Sequence, residues 1–385
     1  MSQLLVLNAG SSSLKYDVFA PWPANGDPTR VAHGAVEGVG TDRVPDHEAA
    51  LGSALDDLRR DPGLDSLVAV AHRVVHGGTL TAPALIDEDS EGAIVDASAL
   101  APLHNPAALA GIRAVRAEWP ELPQIAVFDT AFHQTIDEVA STYAVPVDLA
   151  RRHQLRKWGF HGISHAYVAR RSAEALGLPA EEADLVICHI GNGVSVTAVR
   201  GGRSIDTSMG FTPMEGAVMG TRSGSIDPGL VFHLARQTDL SLEEIEDILQ
   251  HRSGVLGLCG DSDMKQVRER ADAGDADASF ALAVYTHRLR GIVASYVGLL
   301  PDLRAVVFTA GVGEHDPALR AEVIEPLSHL GLELDRDANR SATGPDGPVR
   351  IGRGDRPTVL VVPTDEGAEV ARQAASAFPG PRNGQ

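Results

Sequence analysis

Three short stretches of the chain carry the residue types that hold phosphate groups. Asn8-Ala9-Gly10-Ser11-Ser12-Ser13-Leu14-Lys15 sets a glycine among small amide and hydroxyl residues, with Lys15 just beyond. Backbone N–H groups of such a turn can converge on an anion, and the lysine adds a positive charge. His189-Ile190-Gly191-Asn192-Gly193 and Gly311-Val312-Gly313-Glu314-His315 are two further glycine turns at the ends of apolar runs. None closes on Gly-Lys-Ser/Thr, and the third lacks the last glycine of a dinucleotide fingerprint. Singly each reads as an ordinary hairpin or loop; three at strand ends point to a phosphate-bearing ligand. Arg73 follows a buried run, and Arg222 lies in Met219-Gly220-Thr221-Arg222-Ser223-Gly224. A guanidinium set among small residues can offer its fork to carboxylate or phosphate oxygens. Asp129 and Glu366 stand at strand ends, where carboxylates suit a hard cation such as magnesium. Among the fifteen histidines, His161 and His165 have the spacing of a helical metal pair but lack the adjoining glutamate. A hydrogen-bond donor to a developing oxyanion is the better role for histidine here.

Such groups work only if regular elements aim them. Leu4–Leu7 and Leu14–Phe19 read as strand, polar turn, strand. Ala49 to Leu58 has helical spacing, ended by Asp61-Pro62-Gly63. Val68–Ala71, Ile125–Phe128, Ala305–Thr309 and Val359–Val362 are buried-strand candidates. Asn105-Pro106 reads as a helix start running to about Glu118, and Ser164 as the cap of a helix His165–Leu176. Ser241 and Glu244 form a capping box. This alternation is an α/β pattern. Leu4-Leu5-Val6-Leu7-Asn8-Ala9-Gly10-Ser11 resembles Leu185-Val186-Ile187-Cys188-His189-Ile190-Gly191-Asn192, which points to a duplicated unit opening on a strand–turn–strand hairpin. The crossing between halves is expected between Asp129 and Val147.

With 385 residues the chain is long enough for two or three domains. A net charge of −19 argues against nucleic acid or an anionic membrane as partner. Two cysteines build no disulfide framework and fit a reducing cytoplasm. The first residues lack a basic segment followed by a long apolar stretch, and no apolar run is long enough to span a bilayer.

The phosphate-type turns belong to a longer ordered series. Asn8–Lys15, His72–Gly78 (HRVVHGG), Ala101–Pro106 (APLHNP), Val127–Gln134 (VFDTAFHQ), Gly159–His165 (GFHGISH) and Cys188–Gly193 (CHIGNG) open it. Thr207–Gly216 (TSMGFTPMEG), Gly220–Pro228 (GTRSGSIDP), Ser253–Gly257 (SGVLG), Phe308–Glu314 (FTAGVGE) and Pro363–Glu366 (PTDE) complete it. From end to end the chain resembles the acetate kinase family. The resemblance implies two ribonuclease-H-like domains of the actin type, residues 1–133 completed by a C-terminal helix 368–385, and 134–367. It implies reversible phosphoryl transfer from ATP to acetate giving ADP and acetyl phosphate, with magnesium or manganese, in a cytoplasmic homodimer. Asn8 and Glu366 fall at the family's metal positions and Lys15 at an ATP contact. Arg73 falls at the substrate arginine, Asp129 at the catalytic acidic residue, and His161 and Arg222 at the transition-state stabilisers. His189–Gly193, Asp263-Met264-Lys265 and Gly311–His315 match the nucleotide-binding stretches. Val75, Leu103, Phe160 and Pro213 match the apolar pocket for the acetate methyl. Asp129 is expected to organise magnesium water and Arg222. Four positions depart from the family's usual residues: Lys265 for Arg, His315 for Asn, Asp365 for Asn, and Gly367 for a second Glu. Propionate or butyrate as acceptor is the nearer alternative; a non-enzymatic nucleotide-binding member of the fold is the more distant one.

Overall fold

The computed structural model describes residues 2–10, 13–23, 27–59, 66–102 and 104–378. Ser11, Ser12 and Leu103, all of interest above, lie outside the described residues. The chain divides into two compact units. The first takes in Met1–Gln134, His161–Ser164 and Asp365–Gln385; the second takes in Thr135–Phe160 and His165–Thr364.

The first unit is built on six strands: β1 (Gln3–Ala9), β2 (Ser13–Phe19), β3 (Arg30–Glu37), β4 (Leu67–Val74), β5 (Ala84–Leu85) and β6 (Gln124–Phe128). Their order across the sheet is β3-β2-β1-β4-β6-β5. The second unit has β7 (Leu185–Ile190), β8 (Val194–Arg200), β9 (Arg203–Thr207), β10 (Ala305–Thr309), β11 (Val349–Arg350) and β12 (Thr358–Val361), in the order β11-β12-β10-β7-β8-β9. Read from β9, that is the order of the first sheet.

Strand directions repeat as well. β1 pairs antiparallel with β2 and parallel with β4, as β7 pairs antiparallel with β8 and parallel with β10. β4–β6 and β10–β12 are parallel. The hairpin repeat seen in the sequence is therefore the opening of a duplicated sheet. The parallel centre explains the composition of its strands. Every residue of β6, β7, β10 and β12 is buried, so these strands read as unbroken apolar runs rather than alternating ones.

Three local expectations are corrected. Asn105 is the first residue of the helix Asn105–Glu118, not its cap. Its fully buried amide instead accepts from the His76 N–H (3.0 Å) and donates to the His76 carbonyl (2.9 Å) and the Ile94 carbonyl (3.2 Å). The helix ending at Leu176 starts at Gly162, which puts Ser164 inside its first turn. Gly311–Glu314 is no open loop: Ala310–His315 is a single helical turn following β10. Other expectations hold, among them the reciprocal capping box of Ser241 and Glu244.

Candidate active site

In the first unit, β4 and β6 run side by side with Arg73 opposite Val127. Arg73 therefore emerges beside Asp129, the residue after β6, whose N–H donates to the Val74 carbonyl (3.0 Å). The guanidinium grips Asp129 with two bonds, Nε to Oδ1 (3.2 Å) and Nη2 to Oδ2 (2.8 Å). Its Nη1 reaches Glu366 Oε2 at 2.5 Å, on the first residue of the helix Glu366–Ala377. Asp129 is 2 % exposed. Burial pushes its carboxyl above the ordinary range, the Arg73 charge opposes this, and Glu366 adds to it. The paired carboxylates hold Arg73 firmly protonated despite its burial.

These contacts use three of the five N–H donors of a guanidinium, so two stay available for a carboxylate or phosphoryl oxygen. Asp129 accepts from Arg73 with both carboxylate oxygens. Its carbonyl is occupied too, accepting from the Gly162 N–H (2.9 Å). A Cβ at Gly162 would overlap that carbonyl, so only glycine lets the helix start there. The preceding His161 takes a left-handed backbone, φ 56°. Asn8 is half-buried near the end of β1 and pairs in register with the exposed Lys15 of β2. Val75 is half-buried two residues past Arg73.

His72 and His76 face the interior. His72 Nε2 lies 2.8 Å from Gln124 Oε1, and His76 Nδ1 accepts from the Gly78 N–H (2.9 Å). Burial pushes both imidazoles down to about 4. They are neutral core residues at pH 7. His165, whose Nε2 lies 2.7 Å from Ser195 Oγ, is likewise fully buried.

In the second unit, Arg222 is partly buried, and its Nη1 donates to the Pro213 carbonyl (3.1 Å) and approaches Met219 Sδ (3.8 Å). No carboxylate pairs with it among the described residues, and burial alone lowers its pKa. A half-buried cation without a counter-ion can take up an anionic ligand. The loop carrying it is fixed from outside. Ser253, Val255 and Leu256 donate their N–H groups to the carbonyls of Thr221, Met219 and Gly220, at 2.9–3.0 Å. Gly254 makes this possible, with φ +64° and a backbone so close to Met219 that a Cβ would overlap the carbonyl oxygen. Gly220 in turn donates to the Asn192 carbonyl (3.1 Å), tying the Arg222 loop to the Gly191–Gly193 turn between β7 and β8.

The last glycine stretch is braced twice. Glu314 Oε1 accepts from the N–H groups of Ala310 (2.7 Å) and Thr364 (3.1 Å), holding Ala310 in a left-handed backbone, φ 66°. Arg320, fully buried, donates to the carbonyls of Gly313 (2.8 Å), Asn339 (2.8 Å) and Ala342 (2.6 Å) and to Asn339 Oδ1 (2.8 Å). Burial lowers its pKa to about 10. Sequence reasoning missed Arg320, because an arginine in Pro317-Ala318-Leu319-Arg320-Ala321-Glu322 reads as an exposed helix position.

Not every residue of the three nucleotide-type stretches has a free side chain. Ile190 and Met264 point into the core, and Glu314 serves the turn itself. The Asp263 carboxylate caps the helix Met264–Asp272 through the N–H groups of Lys265 (2.9 Å) and Gln266 (3.4 Å). Asn192, Lys265, Gly311 and His315 are exposed; Gly191, Gly193 and Val312 are half-buried, and His189 is 8 % exposed. Of the apolar-pocket positions, Phe160 is buried and Pro213 half-buried.

Two copies of one mixed sheet, with glycine turns at the ends of their parallel strands and Arg73 near the end of β4, define a ribonuclease-H-like, actin-type phosphotransferase. The model of the Acetokinase family matches residues 3–372, and the chain belongs to that family. The acetate kinase of Streptomyces avermitilis is 46 % identical, with 97 % of this chain and 96 % of that one aligned. Among solved structures, the acetate kinase of Porphyromonas gingivalis superposes with a TM-score of 0.91 at 34 % identity, covering 98 % of this chain and 100 % of the other. A propionate kinase from Francisella tularensis superposes with a TM-score of 0.90 at 38 % identity, covering 97 % and 99 %. The chain is thus an enzyme of ATP-dependent phosphoryl transfer to a carboxylate.

Proposed function

We propose that the chain moves a phosphoryl group between ATP and acetate by direct in-line attack, with acetate favoured over propionate. The carrying observation is the pair of arginines in opposite states: Arg73 fixed between two carboxylates with donors to spare, Arg222 half-buried with no carboxylate. The first suits orientation of a small acid, the second suits charge that builds on the transferring group. Such a transition state requires positioning and positive charge more than covalent help. Acetate is already ionised at neutral pH, so Asp129 does not act as a base; it locks the Arg73 fork. His161 donates to an equatorial oxygen. Asn192, Gly193, Lys265, Gly311 and His315 contact the nucleotide.

The donor set fits magnesium. Asp129 and Glu366 share the single charge of Arg73, so the cluster keeps a net negative charge. No group of three or more ligating His, Cys, Asp or Glu side chains occurs among the described residues, and magnesium bound with nucleotide requires only one or two protein ligands. Glu366 and Asn8 would hold it, and it would neutralise charge on the phosphates. The protein is further proposed to work as a cytoplasmic homodimer. No residue of the helix Pro228–Gln237 is buried, and its Leu230 and Phe232 are 42 % and 57 % exposed. No described helix is long and apolar enough to cross a membrane, and both cysteines are buried free thiols.

A coupled assay for ADP formation with formate, acetate, propionate and butyrate tests the reading. Acetate is expected to give the highest kcat/KM, and Arg222→Lys to lower kcat about a hundredfold, as for a lost oxyanion donor. Equal rates for acetate and butyrate, or an unimpaired Arg222→Lys enzyme, would sink it.

A further inference from the structure

The helix that carries Glu366 is seated at its first turn by an ion cluster whose centre is Arg30, the first residue of β3. Arg30 Nε contacts Asp17 Oδ1 on β2 at 2.6 Å, and Arg30 Nη2 contacts Asp365 Oδ1 at 2.5 Å. The guanidinium lies over the Phe19 ring, 5.3 Å from its centroid, so apolar packing and two charges fix its plane. Asp365 is the cap of the helix, and the same Oδ1 accepts the Ala368 N–H at 2.9 Å. Gly367 completes the fit, since a Cβ there would overlap Asp17 Oδ2. Asp365 and Gly367 are two of the positions that depart from the usual family residues, and both are built into this one cluster. One turn further on, Trp22 Nε1 donates to the Ala371 carbonyl at 2.8 Å.

Glu366 sits between these fixed points, and its 2.5 Å contact with Arg73 depends on where the first turn is held. Without Arg30, the carboxylates of Asp17 and Asp365 would face each other beside Glu366 and repel. We propose that Arg30, acting through Asp365, is a positioning residue for Glu366 and thereby sets the affinity of the site for its divalent cation. This rests on the reading of Glu366 as a metal holder.

The test uses the full chain as Arg30→Gln, with Glu366→Gln as control. In metal-free protein, hydrogen exchange at the Ala368 amide is expected to quicken about fivefold, the effect of weakening one helix cap. The magnesium concentration for half-maximal rate should rise by a similar factor, while kcat at saturating magnesium stays within about twofold. Adding Asp365→Asn to Arg30→Gln removes the repulsion and should return both values toward wild type. Unchanged Ala368 exchange in Arg30→Gln overturns the proposal, as does an unchanged magnesium requirement where Glu366→Gln does raise it. A Glu366→Gln enzyme with a normal magnesium requirement would instead remove Glu366 from the metal site. Were Arg30→Gln to fold poorly, Arg30→Lys, which keeps the charge without the fork, is expected to show intermediate values, and a wild-type Ala368 exchange rate in it overturns the proposal.

Discussion

At the scale of single residues, the site depends on which side chains keep donors or charge uncommitted. Arg73 and Arg222 do; His72 and His76 do not, and that difference gives a pH signature. Both imidazoles are pushed down to about 4 in the folded chain, against an ordinary value of 6.5. Below pH 6.5 the unfolded chain takes up protons that the folded chain refuses, so stability falls as pH drops from about 6.5 to 4. His72→Gln keeps a donor for Gln124 without a titrating ring. Its chemical-denaturation profile should lose part of that slope, on the order of 1 kcal/mol or more between pH 6.5 and 5. An identical slope in the variant would show that His72 titrates freely. Val75 bears on specificity. It is β-branched and stiff, and half-buried just beyond Arg73. Val75→Ala should raise propionate kcat/KM relative to acetate roughly tenfold, the lower range of what a methylene is worth. An unmoved ratio would place Val75 outside the acid pocket.

At the scale of elements, the loop that carries Arg222 is made rigid by its neighbours. The Arg222 loop owes its shape to three N–H groups of Ser253, Val255 and Leu256, and thus to the left-handed Gly254. Gly254→Ala combines a left-handed alanine with an overlap at the Met219 carbonyl. A backbone strained in this way costs about 1–3 kcal/mol. The variant should melt lower and show kcat reduced about tenfold or more, because on the role proposed for Arg222 even a small misplacement is costly. Retention of full kcat with a lowered melting point would mean that the loop holds Arg222 without this brace.

At the scale of the whole molecule, the first unit is assembled from both ends of the chain. Trp22, 1 % exposed, is covered by the helix Glu366–Ala377 and donates to it. Val370, Ala371 and Ala374 of that helix are buried as well. A chain ending at Thr364 would strip this cover from Trp22 and remove Glu366 from Arg73. Such a truncation should red-shift tryptophan emission, destabilise the first unit and abolish activity; unchanged emission would show that Trp22 is shielded by other elements.

The sequence by itself determined the family, the α/β class and the duplication, because buried central strands are written as contiguous apolar runs and turn residues mark their ends. It also singled out Arg73, Arg222, Asp129 and Glu366 as candidates, since few residue types can hold phosphate or a small acid. What it could not determine was how those residues are paired. Arg73 with Asp129 and Glu366, Arg30 with Asp17 and Asp365, and Trp22 with Ala371 are contacts between residues 13 to 349 positions apart. No local pattern encodes them. The glycine stretch after β10 reads as a loop because its helical turn is held by Glu314 and Arg320, not by helix propensity. Asn105 has the look of a cap, yet tertiary packing fixes its amide on the His76 backbone, where burial makes an unmet hydrogen bond more costly than an uncapped helix end.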